Sequence, residues 1–125
     1  ERMDTRPVQL ICPVPVEGLS RFMPMHLLLD REERVVSLGP TLARVLDDPG
    51  VIGARFHDLF ELCSPGGSAT VAEMLDRAGD RFRLVVRTGS RIGLRGLGMR
   101  LPGGDLVLIN LSFGIDLIAA VREFA

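Results

Sequence analysis

The stretch Arg81-Phe82-Arg83-Leu84-Val85-Val86-Arg87 decides the architecture. Upstream of it the apolar residues fall at helical spacing; from Arg81 the period changes to two. Phe82, Leu84 and Val86 share one face, and the arginines dominate the other, which describes a half-exposed strand. Thr88-Gly89-Ser90 makes a turn, and a second strand follows with a break in phase. Ile92 and Leu94 are apolar at even positions, Leu97, Met99 and Leu101 at odd ones. A regular strand cannot move its apolar set to the other face without an extra residue, so a bulge is expected near Arg95-Gly96. After Pro102-Gly103-Gly104-Asp105, Leu106 to Leu111 is apolar except for Asn110, as a strand covered on both faces would be.

Upstream, Met25 to Leu29 and Arg34 to Leu38 are two short strands joined by the polar turn Asp30-Arg31-Glu32-Glu33, a hairpin. Pro40 suits a first helical position, Leu42, Val45 and Leu46 share a face, and Asp48-Pro49-Gly50 ends that helix. Phe56 to Leu62 predicts one or two further helical turns with Phe56, Leu59 and Phe60 inward, closed by Pro65-Gly66-Gly67. Thr70-Val71-Ala72-Glu73 matches a capping box, Val71, Leu75 and Ala78 line the helix it starts, and Gly79 stops it. Residues 1–21, punctuated by Pro7, Pro13, Pro15 and Gly18, form an N-terminal extension in which Val8 to Ile11 fits a short edge strand. Residues 22–113 are expected to form the domain, and residues 114–125 a C-terminal helix cut off by the end of the chain. The expected class is α+β: a PAS-like five-stranded antiparallel sheet with short helices between the second and third strands and a C-terminal helix.

The 125 residues are 46% apolar and 25% charged with a net charge of −1, the balance of a globular domain and not of a basic nucleic-acid module. Every basic residue is Arg, and Tyr and Trp are absent. Two cysteines are too few for a disulfide framework, which points to a reducing, cytoplasmic setting. No stretch reaches the ~20 apolar residues of a membrane span. Glu1-Arg2-Met3-Asp4 is neither a signal peptide nor a natural start, as expected of a piece of a longer protein.

Few constellations carry chemistry. Cys12, His26, His57 and Cys63 are the soft donors, and no pair has zinc-site spacing. His26, on a strand, reads as a hydrogen-bonded core histidine and His57 as half-exposed. No nucleophile stands near His57-Asp58, so no hydrolytic triad is expected. Gly103-Gly104-Asp105-Leu106 reads as a hairpin turn rather than a cyclase signature. Gly93, Gly96 and Gly98 are not a dinucleotide fingerprint, and close backbone packing explains them better. The arginine face between Arg81 and Arg95 suits an anion or an acidic partner; a solvated face is the plainer reading at near-zero net charge. Leu117, Ile118, Val121 and Phe124 form a short apolar seam that fits either a helical dimer or a helix folded onto its own sheet.

Four pieces in order resemble the heme-NO-binding-associated (H-NOXA) domain: Phe22 to Arg31, Leu42 to Leu46, Phe56-His57-Asp58-Leu59-Phe60-Glu61-Leu62-Cys63-Ser64-Pro65, and Leu94 to Met99 followed by Leu101-Pro102. Met23 and Met25 depart from the family's pattern around His26, and the loop at Gly66 to Ser68 is short. The resemblance implies a PAS-like fold and a regulatory, non-catalytic role beside a heme-NO-binding domain protein and a fused output domain. Soluble guanylate cyclases and bacterial two-component histidine kinases carry such domains; an Arg-rich, Lys-free chain fits a bacterial histidine kinase or diguanylate cyclase. It implies a homodimer and no enzyme activity; the spacing of Leu117, Ile118, Val121 and Phe124 makes them the expected interface, and the charge balance and donor spacing give no expectation of nucleic acid, metal or cofactor. The alternative is a PAS-type sensor that binds a small molecule in its core.

Overall fold

The computed structural model describes residues 13–64, 70–78, 81–88, 91–103 and 105–113. In chain order they form α1 (Val16–Phe22), β1 (His26–Leu29), β2 (Val35–Leu38), α2 (Pro40–Leu46), α3 (Phe56–Leu59), β3 (Phe60–Ser64), α4 (Val71–Ala78), β4 (Arg81–Val86), β5 (Gly93–Arg100) and β6 (Val107–Phe113). The strands build one antiparallel sheet in the order β2-β1-β6-β5-β4-β3. Its inner face meets α2, α3 and α4 in a core where Leu27, Leu42, Phe56, Phe60, Met74 and Ile109 are fully withdrawn from water.

The fold class is the expected α+β PAS-like one, with differences in its elements. The sheet has six strands where five were expected. The extra one is β3: α3 stops after Leu59, and Phe60 turns to extended backbone at φ −132, ψ 148. Both periods fit this stretch, since Phe56 and Phe60 match a helix while Phe60 and Leu62 match a strand. Pairing with β4, Phe60 opposite Val86 and Leu62 opposite Leu84, decides for the strand. Arg87 secures the junction: its Nε donates to His57 O at 2.6 Å, a carbonyl the short helix leaves unpaired, and to Phe60 O at 3.1 Å at the start of β3. A helix, α1, lies inside the segment read as an extension; none of its side chains is buried, so it left no apolar stripe to read. The Val8–Ile11 strand, the Pro65-Gly66-Gly67 closure, the Gly79 stop and the 114–125 helix lie outside the described residues.

The bulge expected near Arg95-Gly96 is absent. β5 pairs from Gly93 to Leu97 with β4 and from Leu94 to Arg100 with β6 without a shift in register. Its inner positions are Leu94, Gly96 and Gly98. A Cβ on Gly96 would lie 2.1 Å from Phe82 Cε2, and one on Gly98 3.0 Å from Leu75 Cδ2. The glycines hold the core face so that the Phe82 ring can lie against the strand, and Leu97 and Met99 point outward. Register shifts fall elsewhere, in β1–β2 and in β3–β4. β6 is not covered on both faces either: Asn110 and Ser112 are exposed.

Two helix starts rest on distant groups. Pro24 O accepts Thr41 N at 3.0 Å and Leu42 N at 3.2 Å, capping α2, whose first residue is Pro40 as expected. At α4, Thr70 Oγ1 accepts Glu73 N at 3.1 Å, half of the expected capping box. Glu33 supplies a carboxylate from the hairpin turn, its Oε2 accepting Val71 N at 2.9 Å. Glu33 sits at φ 62, a left-handed conformation, in a turn where Asp30 Oδ1 accepts the N–H groups of Glu32 and Arg34. Asp105, just ahead of β6, pairs with Arg31 of the β1–β2 turn, raising the guanidinium's pKa by hydrogen bonding first and charge attraction second.

Candidate functional site: the outer face of the sheet

β4, β5 and β6 turn Phe82, Leu84, Leu94, Ile109 and Leu111 to the core, so the alternate residues project outward. The register sets Arg83 opposite Arg95 and Arg81 opposite Leu97 on β4–β5. On β5–β6 it sets Arg95 opposite Ser112, Leu97 opposite Asn110 and Met99 opposite Leu108. These outward side chains border an open groove of about 640 Å³ lined by Arg81, Arg83, Arg95, Leu97, Asn110 and Ser112. Leu97 and Met99 are 48% and 54% exposed, unusual for two large apolar side chains two residues apart on a strand paired on both sides.

Arg31, Arg34, Arg91 and Arg100 each meet a carboxylate, of Asp105, Glu32, Glu61 and Asp76 respectively. Arg81, Arg83 and Arg95 have no acidic partner among the described residues. Arg21, Arg44 and Arg55 are exposed and likewise without an acidic partner among the described residues, but the arginines of this face stand together on paired strands. Directly opposite residues on antiparallel strands have Cβ atoms only ~4.5–5.5 Å apart, so the Arg83–Arg95 pair is a like-charge contact that works against the sheet.

The soft donors do not come together. His26 is the core histidine its position suggested: fully buried, with Nδ1 3.0 Å from Met23 O and Nε2 2.9 Å from Ser37 Oγ. Met23 O can only accept, so Nδ1 carries a proton and donates to it. His57 is part-exposed; its Nε2 has no hydrogen-bond partner and lies 3.8 Å from Glu33 Oε1. Cys63 is exposed on β3, and Cys12 lies outside the described residues. Among the described residues no three His, Cys, Asp or Glu groups gather as metal ligands would. The seam residues Leu117, Ile118, Val121 and Phe124 also lie outside them. The sequence marked the arginine face; it gave no sign that Leu97 and Met99 share it, because their apolar character argued for the core.

A curled antiparallel sheet with short helices on its inner face defines a PAS domain. The solved PAS domain of a Desulfitobacterium hafniense protein covers 78% of this chain and 99% of its own length at 14% identity and a TM-score of 0.61. That of an HTR-like protein from Haloarcula marismortui covers 79% and 94% at 19% identity and 0.55. That of nitrogen regulation protein NR(II) from Vibrio parahaemolyticus covers 82% and 100% at 10% identity and 0.53. The chain belongs to the heme NO binding associated family, whose model matches residues 12–92, from ahead of α1 to the turn before β5. No curated protein matches it. It is a signalling or sensory domain of that family. Among the described residues no helix is long and apolar enough to cross a membrane.

Proposed function

We propose that the domain is a non-catalytic relay in a bacterial nitric-oxide-linked signalling protein. It passes a change from a heme-NO-binding partner to a fused output domain of histidine kinase or diguanylate cyclase type, in the cytoplasm. The observation that carries the reading is the family match over residues 12–92 on a PAS sheet. No step in this role needs a catalytic residue or a resident cofactor. Residues 114–125 would carry the output as a parallel helical pair, with Leu117, Ile118, Val121 and Phe124 as the seam.

Hydrogen exchange of this chain, mixed with a heme-NO-binding domain with and without nitric oxide, tests the relay. Amides that change protection when the gas is added support it; an identical pattern under both conditions overturns it. Sedimentation of wild type against the Leu117→Glu, Val121→Glu double variant tests the seam. A dimer that the charges dissolve is expected. A wild-type monomer at high micromolar concentration rejects self-association, and a dimer indifferent to the charges moves the interface elsewhere.

A further inference from the structure

We propose that the groove over β4–β6 docks an acidic amphipathic helix from a partner protein. Two features meet in it. One is a basic group, Arg81, Arg83 and Arg95, with no acidic partner among the described residues. The other is an apolar strip about half exposed, Leu97 in the groove and Met99 two residues further along β5, outside its lining. A small anion would satisfy the guanidinium groups and leave the strip in water. An uncharged apolar segment would cover the strip and desolvate three cations that have no acidic partner among the described residues, at a cost. A helix with leucine-type anchors on one stripe and carboxylates along its edge meets both, since arginine forks match carboxylates geometrically.

Other occupants fit less well. Nucleic acid and anionic membrane surfaces draw on an excess of positive charge, and this chain carries a net charge of −1. A second copy meeting this face across a two-fold axis would set arginines against arginines. The chain's own residues 114–125 carry Asp116 and Glu123 but also Arg122, a net −1 against three arginines.

The test uses a fluorescein-labelled helical peptide of about 15 residues, the length at which isolated helices begin to hold. Leucines occupy one stripe and glutamates flank it; a twin carries glutamines instead. Anisotropy against the full chain is expected to show saturable binding of the acidic peptide, at least ~10-fold tighter than the twin and weakened by salt. Arg83→Glu with Arg95→Glu should reduce affinity at least ~10-fold, and Leu97→Ser with Met99→Ser several-fold, each with an unchanged circular dichroism spectrum. Absent binding, or equal binding of the two peptides, overturns the proposal. So does tighter binding of a DNA duplex or of vesicles rich in anionic lipid, or displacement of the peptide by equimolar pyrophosphate. If Asp116→Arg with Glu123→Arg raises peptide affinity ~10-fold, the chain's own tail is the occupant, and the partner helix is rejected.

Discussion

The outer face of the sheet has two halves, built alike and finished differently. Over β1 and β2, His26 and Leu28 are 0% and 3% exposed, and His26 meets Ser37 and the Met23 carbonyl in hydrogen bonds. Over β4 to β6 the same outward parity carries Leu97 and Met99 into solvent and sets Arg83 against Arg95. Alternation along a strand fixes which way a side chain points, not whether anything covers that side. The closed half holds residues that serve the fold. The open half leaves large apolar residues half in water and, in the arginine pair, carries a contact that opposes the fold.

The strongest challenge to this contrast is the same charge placed on both halves. Leu28→Asp would bury an unpaired carboxylate in the closed half, and a loss of at least ~4 kcal/mol is expected. That is a large share of the ~5–15 kcal/mol that holds a domain together. Leu97→Asp, in the open half beside arginines, should stay within ~0.5 kcal/mol of wild type. Urea midpoints of the two variants decide, and equal losses would mean that the halves do not differ.

The inner face supplies the scale for that comparison. Phe60 is fully buried with its ring 5.1 Å from that of Phe56, so Phe60→Ala should cost ~3–5 kcal/mol. A midpoint near wild type would take Phe60 out of the core and β3 out of the sheet. A smaller loss, ~1–3 kcal/mol, is expected of Ser37→Ala, which leaves His26 Nε2 without its partner inside a closed site. If the histidine is satisfied by water instead, Ser37→Ala will leave the thermal midpoint unchanged, and the closed half is wetter than its exposure implies.

What the sequence disclosed follows the same division. β4 was legible because its inward residues are large and its outward ones charged. β5 was not, because beyond Leu94 its inward positions are Gly96 and Gly98, emptied to admit Phe82 and Leu75, while Leu97 and Met99 face out. Hydropathy assigns Leu97 and Met99 to a core, and only the register with β4 and β6 shows otherwise. α3 and β3 blurred together because Phe56 to Leu62 satisfies both periods at once. Glu33 was unreadable for another reason: its partner, Val71 N, is 38 residues away. The arginine row was visible as a face, but the apolar strip that gives it a site's character was hidden by the β5 phase break.

The smallest expected effect separates fold from function most cleanly. Arg83→Glu turns a like-charge cross-strand pair with Arg95 into an opposite-charge one, on an exposed face where no packing is lost. Opposite-charge cross-strand pairs contribute ~0.2–1 kcal/mol, so the variant should be slightly more stable than wild type. The gain should shrink at high salt, because exposed charges are screened within ~10 Å at 0.1 M. A residue whose replacement stabilises the domain is not held in place by the fold. If Arg83→Glu destabilises the chain instead, the arginine has a structural partner, and the open half serves the fold as the closed half does.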